Sequence, residues 1–302
     1  MSDSSLKLSD VKGLRLLKGF QLMILLGCFF IGLIIVSVAA IGINSLPGIN
    51  ERTALLLSAG LQCVIAFMLP AWAAGKFTTK NSFKWLRMRS VPSVKAFVGV
   101  IIVYLIALPA LNQIISWNEA ITFPESMKGL EAALRSSENA AKGMSEKILA
   151  SMGLWQMLAA VGVVGVLTGI AEEMFFRGGL QNILTMPRRH TLAVWGAAII
   201  FSAVHFQFFG FVPRVLMGVF FGYLLVWTGS LWVPIFAHAL NNSIVVVSYY
   251  MFGNSDFPDI ESLGVSHSDE FPVAAAASAV ATAVFLWRFR HYFFFSSSTP
   301  HH

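Results

Sequence analysis

The residues of this chain that could do chemistry lie in segments that are otherwise apolar enough to cross a bilayer. Glu172 and Glu173 are adjacent, and Arg177 follows the second of them by four positions. A carboxylate in hydrocarbon costs about 2.5–3.5 kcal/mol on insertion scales, so such residues are rare and tend to be functional. Later apolar segments add two imidazoles and an amide, on His205, His238 and Asn242. This combination indicates a membrane enzyme or a proton-handling transporter.

Helix geometry sorts these side chains by face. Glu173 and Arg177 are four residues apart, so they share a helix face and can pair. Glu172 points about 100° away from Glu173 and is free for another role. His238 and Asn242 share a face because they are also four residues apart. The spacing therefore predicts one paired carboxylate, one free carboxylate, and an imidazole beside an amide.

A turn at two arginines relates the free carboxylate to the first imidazole in depth. Glu172 lies 16 residues before Arg188, and His205 lies 16 residues after Arg189. At a rise of 1.5 Å per residue, an antiparallel hairpin places both side chains about 24 Å from the turn. We therefore expect Glu172 and His205 to face each other.

The composition is that of an integral membrane protein. The chain has 302 residues, of which 56% are hydrophobic and 12% charged, against about 25% charged in soluble domains. The net charge of +6 comes from basic residues gathered between apolar spans, which fits the positive-inside rule and predicts no nucleic-acid partner. The two cysteines, Cys28 and Cys63, each lie inside an apolar span, which argues against a disulfide framework or a cysteine-built metal site.

The apolar runs predict an all-α polytopic membrane protein of about eight transmembrane helices with a polar intramembrane active-site cavity. The predicted spans are Phe20–Ile43, Thr53–Ala74, Val94–Trp117, one within Gly153–Met186, Thr191–Gln207, Phe211–Trp227, Leu231–Met251 and Phe271–Leu286. We divide the chain into an N-terminal three-helix membrane region with an outside loop (1–152), a catalytic core (153–251), and an acidic loop with the last helix (252–302).

Charge predicts the orientation in the cell membrane. Four basic clusters fall on one side of an eight-span bundle, which places both termini in the cytoplasm. Their members are Lys7, Lys12, Arg15 and Lys18; Lys76, Lys80, Lys84, Arg87 and Arg89; Arg188 and Arg189; and Arg288 and Arg290. The loop at 252–270 has five acidic residues and no Lys or Arg, so we expect it outside. The outside segment Asn118–Met152 carries Glu131 before Arg135 at helical spacing, and its helix either lies on the membrane surface or is fully solvated.

Each polar residue also has a purely structural interpretation. A paired Glu173 and Arg177 would orient their helix, His205 alone would be a hydrogen-bonded interior histidine, and Asn242 alone would join helices. Packing does not require all of them together with a free carboxylate and a second imidazole. Their joint occurrence in consecutive polar-bearing spans favours a functional site.

The order and spacing of these residues resemble a known family. Glu172-Glu173-Met-Phe-Phe-Arg177 resembles the EExxxR motif of the CPBP intramembrane proteases, also called the CAAX prenyl protease 2 or Abi family. Phe201-Ser-Ala-Val-His205 resembles its FxxxH motif, and His238-Ala-Leu-Asn-Asn242 its HxxxN motif. The resemblance covers roughly Gly153–Tyr250, and it implies an eight-helix fold and proteolysis within the membrane.

The resemblance and the chemistry of the residues together suggest roles. A desolvated carboxylate is a suitable general base, so Glu172 would activate a water that His205 holds or helps to deprotonate. His238 and Asn242 would donate to the oxyanion of the tetrahedral intermediate. Glu173 with Arg177 would brace the fourth helix. The expected partners are membrane lipid and a membrane-embedded or lipidated (CAAX-type) peptide substrate.

Metal dependence has two alternatives. Glu172, His205 and His238 could hold zinc with one open coordination position. The HExxH helix signature is absent, and the mechanism that the resemblance favours is glutamate-dependent. We therefore expect no required cofactor, with zinc as the alternative.

Two other classes of function compete with proteolysis. A proton-coupled transporter would use buried Glu and His residues as a relay, but it favours repeated halves with broken helices, and the sequence has no such halves. A non-catalytic immunity or scaffold protein would keep the fold without using Glu172 for chemistry. We expect an enzyme of the intramembrane glutamate-type endopeptidase class.

Overall fold

The computed structural model describes residues 8–187, 189–253 and 272–295, and these residues form helices and no β-strand. Ten helices lie within the described residues, with segments of wider winding counted inside the helix that contains them. They are α1 Leu8–Asn44, α2 Glu51–Thr78, α3 Ser82–Trp85, α4 Val94–Glu119, α5 Lys128–Leu149, α6 Leu154–Leu184, α7 His190–Ala203, α8 Phe211–Thr228, α9 Trp232–Phe252 and α10 Val273–Phe293. The predicted all-α, polytopic membrane fold is confirmed.

Seven of the helices in the described residues are long and apolar enough to cross a membrane, and they correspond to seven of the eight predicted spans. The predicted fifth span, Thr191–Gln207, is wrong at its end. The helix there is α7, His190–Ala203, with 14 residues. It rises about 21 Å, which is short of a hydrocarbon core of about 30 Å. It ends because Phe206 adopts a left-handed backbone conformation with φ +54° and turns the chain towards α8.

Hydrogen bonds gather several basic segments at one end of the bundle. Lys18 Nζ lies 3.0 Å from the carbonyl oxygens of both Asn182 and Ile183 at the end of α6. The backbone N–H of Leu231 donates to the carbonyl of Arg87 over 3.1 Å, which joins the turn before α9 to the loop after α3. These contacts agree with the predicted grouping. Lys7, Arg188 and the acidic residues of the 252–270 loop lie outside the described residues.

An aromatic cluster connects the helices that surround the polar residues. Phe29 of α1, Phe67 of α2 and Phe175 of α6 have ring centroids 5.0–5.5 Å apart. Phe176 of α6 continues the cluster to Phe201 of α7 at 5.1 Å. Aromatic pairs at such distances pack edge-to-face or tilted and add to the stability gained by burial. The cluster therefore fixes α6 and α7 against the N-terminal helices.

A glycine allows α6 and α9 to approach closely beside the polar residues. A Cβ atom added at Gly169 would lie only 3.0 Å from the backbone nitrogen of Ala239 and 3.2 Å from its Cα. Those distances are shorter than ordinary van der Waals contact, so a side chain at this position would push the helices apart. Small residues at such crossings let transmembrane backbones pack closely. The close crossing brings the two glutamates of α6 next to His238 of α9.

Helix α5 bridges two walls of the bundle on the side opposite the basic segments. At its middle it contacts the turn between α7 and α8, where Glu138 accepts a hydrogen bond from the backbone N–H of Phe209. Near its end Lys147 pairs with Glu51 of α2 at 2.7 Å, and Arg52 Nε donates to the carbonyl of Ile148 at 2.9 Å. The predicted helix in the outside segment therefore exists, and it packs against α2 and the α7–α8 turn.

Candidate active site

The two glutamates lie between two segments of α6 that wind more widely than an α-helix. Val161–Leu167 and Met174–Gln181 have π-helical hydrogen bonding, and the intervening Thr168–Glu173 is α-helical. π-helical segments are uncommon and occur frequently at functional sites. Glu172 is 14% exposed at its side chain and Glu173 is fully buried. The helix therefore presents one accessible carboxylate and one enclosed carboxylate.

The enclosed carboxylate forms two charge-assisted contacts through one oxygen. Glu173 Oε1 accepts a hydrogen bond from Arg177 Nη1 at 2.6 Å and lies 2.8 Å from Nδ1 of His238. The structure thus forms the Glu173–Arg177 pair that the spacing predicts, with both side chains fully buried. Arg177 also lies over the ring of Phe201, 4.5 Å from the centroid, and donates from Nη2 to the carbonyl of Gly218 at 3.3 Å. The pair therefore connects α6 with α7, α8 and α9.

His238 is held between the two glutamates. Its Nδ1 donates to Glu173, while Nε2 lies 3.7 Å from Glu172 Oε2. Phe221 stacks on the imidazole with ring centroids 5.3 Å apart and fixes the plane of the ring. A carboxylate only accepts, so the proton on Nδ1 is assigned to the hydrogen bond with Glu173. That assignment leaves Nε2 as the nitrogen directed towards Glu172.

His205 and Glu172 line one cavity inside the bundle, as the depth argument predicts. The Nδ1 atom of His205 lies 2.7 Å from the carbonyl oxygen of Phe201 and must donate to it, which leaves Nε2 available. The cavity measures about 200 Å³, room for several waters at about 30 Å³ each. It is lined by Ala59, Gln62, Cys63, Phe67, Thr168, Glu172, Phe176, Val204 and His205.

Asn242 lies one helical turn from His238 but does not line this cavity. Its Nδ2 donates to the carbonyl of Val164 at 3.2 Å, and its Oδ1 accepts from Asn241 at 3.2 Å. The amide thus binds a carbonyl in a widely wound segment of α6. An amide nitrogen carries two N–H groups, so one remains for another acceptor. The structure places His238 beside Glu172, whereas neither His238 nor Asn242 lines the cavity that Glu172 shares with His205.

The sequence leaves zinc binding by Glu172, His205 and His238 as an alternative to a metal-free site. Among the residues that the structure describes, no group of three or more His, Cys, Asp or Glu side chains could hold a metal ion. His238 Nδ1 is occupied by Glu173, and His205 Nδ1 by a backbone carbonyl. Zinc requires ligand atoms at about 2.0–2.2 Å from one point. These hydrogen bonds leave Nε2 as the nitrogen of each imidazole that a metal could reach, and the zinc alternative with Glu172, His205 and His238 as ligands stays a prediction.

Several residues that support the site were not predicted. Gln181 of α6 donates from Nε2 to the carbonyl of Gly222 at 3.2 Å, repeating one turn later the contact of Arg177 with Gly218. The sequence holds a signal for this ladder, because Glu173, Arg177 and Gln181 are spaced by four, as are the two glycines. The contact of Glu173 with His238 joins distant helices, and local spacing gives no sign of it.

The comparisons with known proteins cover the region of the chain that contains these residues. Residues 154–244 match the family model described as "Type II CAAX prenyl endopeptidase Rce1-like". The Bacillus subtilis protein "Uncharacterized protein YpbD" is 28% identical over 106 residues, which cover 34% of this chain and 50% of that protein. "Putative membrane peptidase YdiL" from the same organism is 31% identical over 104 residues, 34% of this chain and 43% of that protein. No solved structure matches the chain significantly.

The matching region contains all six predicted site residues, although the chain spans only about half the length of the curated relatives it matches. The segment also includes α6 to most of α9, the helices that surround Glu172 and His238. Residues 154–244 of this multi-pass membrane protein are similar to the Rce1-like family of type II CAAX prenyl endopeptidases, as the three motifs in this segment predict.

Proposed function

We propose that the protein is an intramembrane endopeptidase in which Glu172 activates a water molecule. One observation carries this proposal: Glu172 and His205 line the same cavity of about 200 Å³ within a bundle of membrane-spanning helices, and Nε2 of His205 is available because Nδ1 binds a backbone carbonyl. Peptide hydrolysis inside a membrane needs a polar chamber of this kind, because hydrocarbon supplies neither water nor a base. The match of residues 154–244 to a family of endopeptidases supports the same reaction.

The reaction begins with a water held between Glu172 and His205. Glu172 takes one proton from this water as the oxygen of the water attacks the carbonyl carbon of the scissile peptide bond. Nε2 of His205 accepts a hydrogen bond from the same water and orients it. Glu172 then passes the proton to the departing amine, the C–N bond breaks, and a new carboxylic acid and a free amine result. In this sequence Glu172 serves first as general base and then as general acid.

His238 and Asn242 are suited to stabilise the oxyanion of the tetrahedral intermediate. The hydrogen bond from Nδ1 of His238 to Glu173 fixes the imidazole, and Nε2 is the ring nitrogen that would donate to the oxyanion. The second N–H of Asn242 supplies the other donor. Preorganised donors of this type contribute about 10²–10³-fold in kcat. Glu173 and Arg177 act as positioning residues for His238, and the proposed steps need no metal or other cofactor.

The proposed substrate is a membrane-embedded or lipidated peptide, including one with a CAAX-type end. A chamber enclosed by apolar helices excludes soluble protein but admits a segment that already lies in the bilayer. The basic segments at one end of the bundle support a cell-membrane orientation with both termini in the cytoplasm. We expect lipid and this peptide as partners, and no nucleic acid.

The test uses the purified protein in detergent micelles. The probes are an internally quenched peptide that ends in a farnesylated CAAX sequence, the same peptide without the lipid, and a hydrophobic transmembrane peptide. Cleavage of at least one probe is expected, and Glu172→Gln should lower kcat about 10²–10⁴-fold because it removes the general base. Glu146→Gln on α5 is the matched control and should cleave as the wild type does, because this exposed carboxylate lies on a different helix from the site.

Equal cleavage by Glu172→Gln and by the wild type, with equal thermal unfolding of both, would rule out this role for Glu172. A search of cell membranes addresses the natural substrate. Membranes that contain Glu172→Gln should accumulate an uncleaved peptide that membranes with the wild type lack. Metal analysis of the active protein, together with activity after chelation, separates the metal-free mechanism from the zinc alternative.

A further inference from the structure

The turn that carries His205 is irregular backbone inside a membrane protein. It runs through residues 204–210, between the end of α7 at Ala203 and the start of α8 at Phe211, and we name it the His205 turn. Because α7 rises only about 21 Å, its end falls short of a hydrocarbon core of about 30 Å. Irregular backbone at such depth persists only where protein groups satisfy its N–H and C=O groups. The partners of these groups therefore decide where His205 lies.

One partner is the side chain of Asn118, near the end of α4. Its Nδ2 donates to the carbonyl of Phe208 at 3.1 Å, and its Oδ1 lies 3.4 Å from the backbone nitrogen of Val212, from which it accepts. Asn118 is 5% exposed, so water does not compete for these bonds. A single amide thus uses both its donor and its acceptor to join the His205 turn to the first residues of α8.

Helix α5 supplies the other partners. Glu138 Oε2 accepts from the backbone N–H of Phe209 at 3.2 Å, and Ser137 Oγ donates to the carbonyl of Phe206 at 3.2 Å. The guanidinium of Arg135 lies 4.2 Å from the centre of the Phe209 ring. Two successive positions of α5, Ser137 and Glu138, therefore bind the backbone of the turn at Phe206 and at Phe209.

The turn needs this support because of the residue that follows His205. Phe206 has φ +54°, a left-handed conformation that is unfavourable for a residue with a side chain. Its side chain is 78% exposed, so packing of the ring does not compensate. Strained backbone of this kind persists only when surrounding contacts determine it. The carbonyl of Phe206 is the group that Ser137 binds.

We propose that Asn118 and Glu138 are positioning residues for His205: they hold the His205 turn so that Nε2 of the imidazole faces Glu172. This inference rests on the proposed peptidase function and extends it beyond residues 154–244, the region that matches the endopeptidase family. The residues before position 153 then contribute to catalysis as well as to membrane anchoring. Displacement of α5 would disorient His205 without touching any residue of the cavity.

The test compares Glu138→Ala, Glu138→Gln and the control Glu146→Ala in the detergent-solubilised full chain. Glu146 is an exposed carboxylate two turns further along the same helix. Backbone amide exchange of residues 204–212, followed by mass spectrometry, reports on the turn without any need for activity. Exchange should be about tenfold faster in Glu138→Ala because loss of the acceptor opens the turn locally. Glu138→Gln keeps an acceptor oxygen and should restore slow exchange, and Glu146→Ala should match the wild type.

Kinetics on the peptide that the wild type cleaves give the second measurement. Glu138→Ala should lower kcat about 10–100-fold with little change in KM, because a displaced imidazole impairs catalysis more than substrate binding. Glu138→Gln should recover most of this loss. Asn118→Ala provides an independent variant, with the same expected increase in exchange and decrease in kcat.

Two results would overturn the proposal. Unchanged exchange in both Glu138→Ala and Asn118→Ala would mean that these side chains do not hold the turn. Faster exchange with unchanged kcat would mean that the position of His205 does not depend on them. A wild type that cleaves no peptide would contradict the proposed function, and the exchange measurement would still decide whether Asn118 and Glu138 hold the turn.

Discussion

The carboxylate of Glu173 lies 2.8 Å from Nδ1 of His238, so the second glutamate of the EExxxR motif contacts the first residue of the HxxxN motif. The same oxygen binds Arg177, the last residue of its own motif. Two motifs that are separated by about 60 residues in the sequence therefore meet at one buried atom. The fully buried charges explain why the motif pairs its second glutamate with an arginine, because an unpaired carboxylate there would be strongly unfavourable.

Loss of the arginine should therefore destabilise the protein. Arg177→Met leaves Glu173 buried without its cationic partner, and we expect the free energy of unfolding to fall by about 3–5 kcal/mol. The double variant Glu173→Gln, Arg177→Met removes both charges and should recover a large part of this loss. Thermal unfolding of both variants in detergent measures the difference. A decrease of less than 1 kcal/mol for Arg177→Met would contradict the prediction.

Gly218, whose carbonyl accepts a hydrogen bond from Arg177, should tolerate no side chain. An added Cβ at Gly218 would lie 3.0 Å from Cβ of Ala198 and 3.2 Å from Arg177 Nη2. We expect Gly218→Ala to destabilise the protein by about 1–3 kcal/mol through overpacking. Gly196 is the matched control on α7, since its added Cβ would meet nothing closer than 3.7 Å.

Gly196→Ala should be neutral or stabilising by up to about 1 kcal/mol, because alanine is the better helix former. Both variants are measured by thermal unfolding in the same detergent. Equal unfolding temperatures for the two would show that the close contacts of Gly218 impose no constraint.

The left-handed residue next to His205 should prefer glycine. Phe206 has φ +54° and its ring is largely exposed, so its removal sacrifices little packing. We expect Phe206→Gly to be more stable than Phe206→Ala by about 1 kcal/mol, because glycine adopts this conformation without steric cost. Chemical or thermal unfolding of the pair provides the measurement, and a more stable alanine variant would contradict the conformation of this residue.

The start of α5 should loosen in acid. Hydrogen bonds from the backbone N–H of Phe123 and from Arg135 lower the pKa of the Glu131 carboxyl below its ordinary value. A lowered pKa in the folded state means that the stabilisation is present above the unfolded-state pKa and is lost as the pH falls through the folded-state pKa. Amide exchange of residues 121–135 should therefore accelerate in this acidic range. Glu131→Gln cannot titrate and should lack the acid-dependent step. A step of equal size in that variant would assign it to another group.

The local parts of the site follow from the sequence, and the contacts between helices do not. Spacing by four predicts the pairing of Glu173 with Arg177. Glu172 and His205 lie equally far along the chain from the turn at Arg188 and Arg189, which predicts that they meet. Both arguments use only the rise and twist of a helix. The sequence predicts the end of this span at Gln207, four residues after the end of α7 at Ala203, because apolar Val204 and Phe206 continue the pattern of a span while the backbone turns. Hydropathy records side-chain chemistry and does not detect the left-handed residue. The hydrogen bond from Asn118 to the carbonyl of Phe208 joins residues 90 positions apart, so no local sequence pattern predicts it.

The two widely wound segments of α6 make the register of this helix unusually sensitive to length. In each segment, Val161–Leu167 and Met174–Gln181, the backbone hydrogen bonds enclose one residue more than in an α-helix, and the two segments lie directly before and after the part of the helix that carries the glutamates. Insertion or deletion of a single residue in the α-helical part between them, Thr168–Glu173, would rotate one half of the helix by about 100° against the other. Such a change would swing Glu172 or its neighbours towards the surrounding lipid while leaving the hydrophobicity almost unchanged. Insertions and deletions in this helix should accordingly be selected against even where substitutions are tolerated.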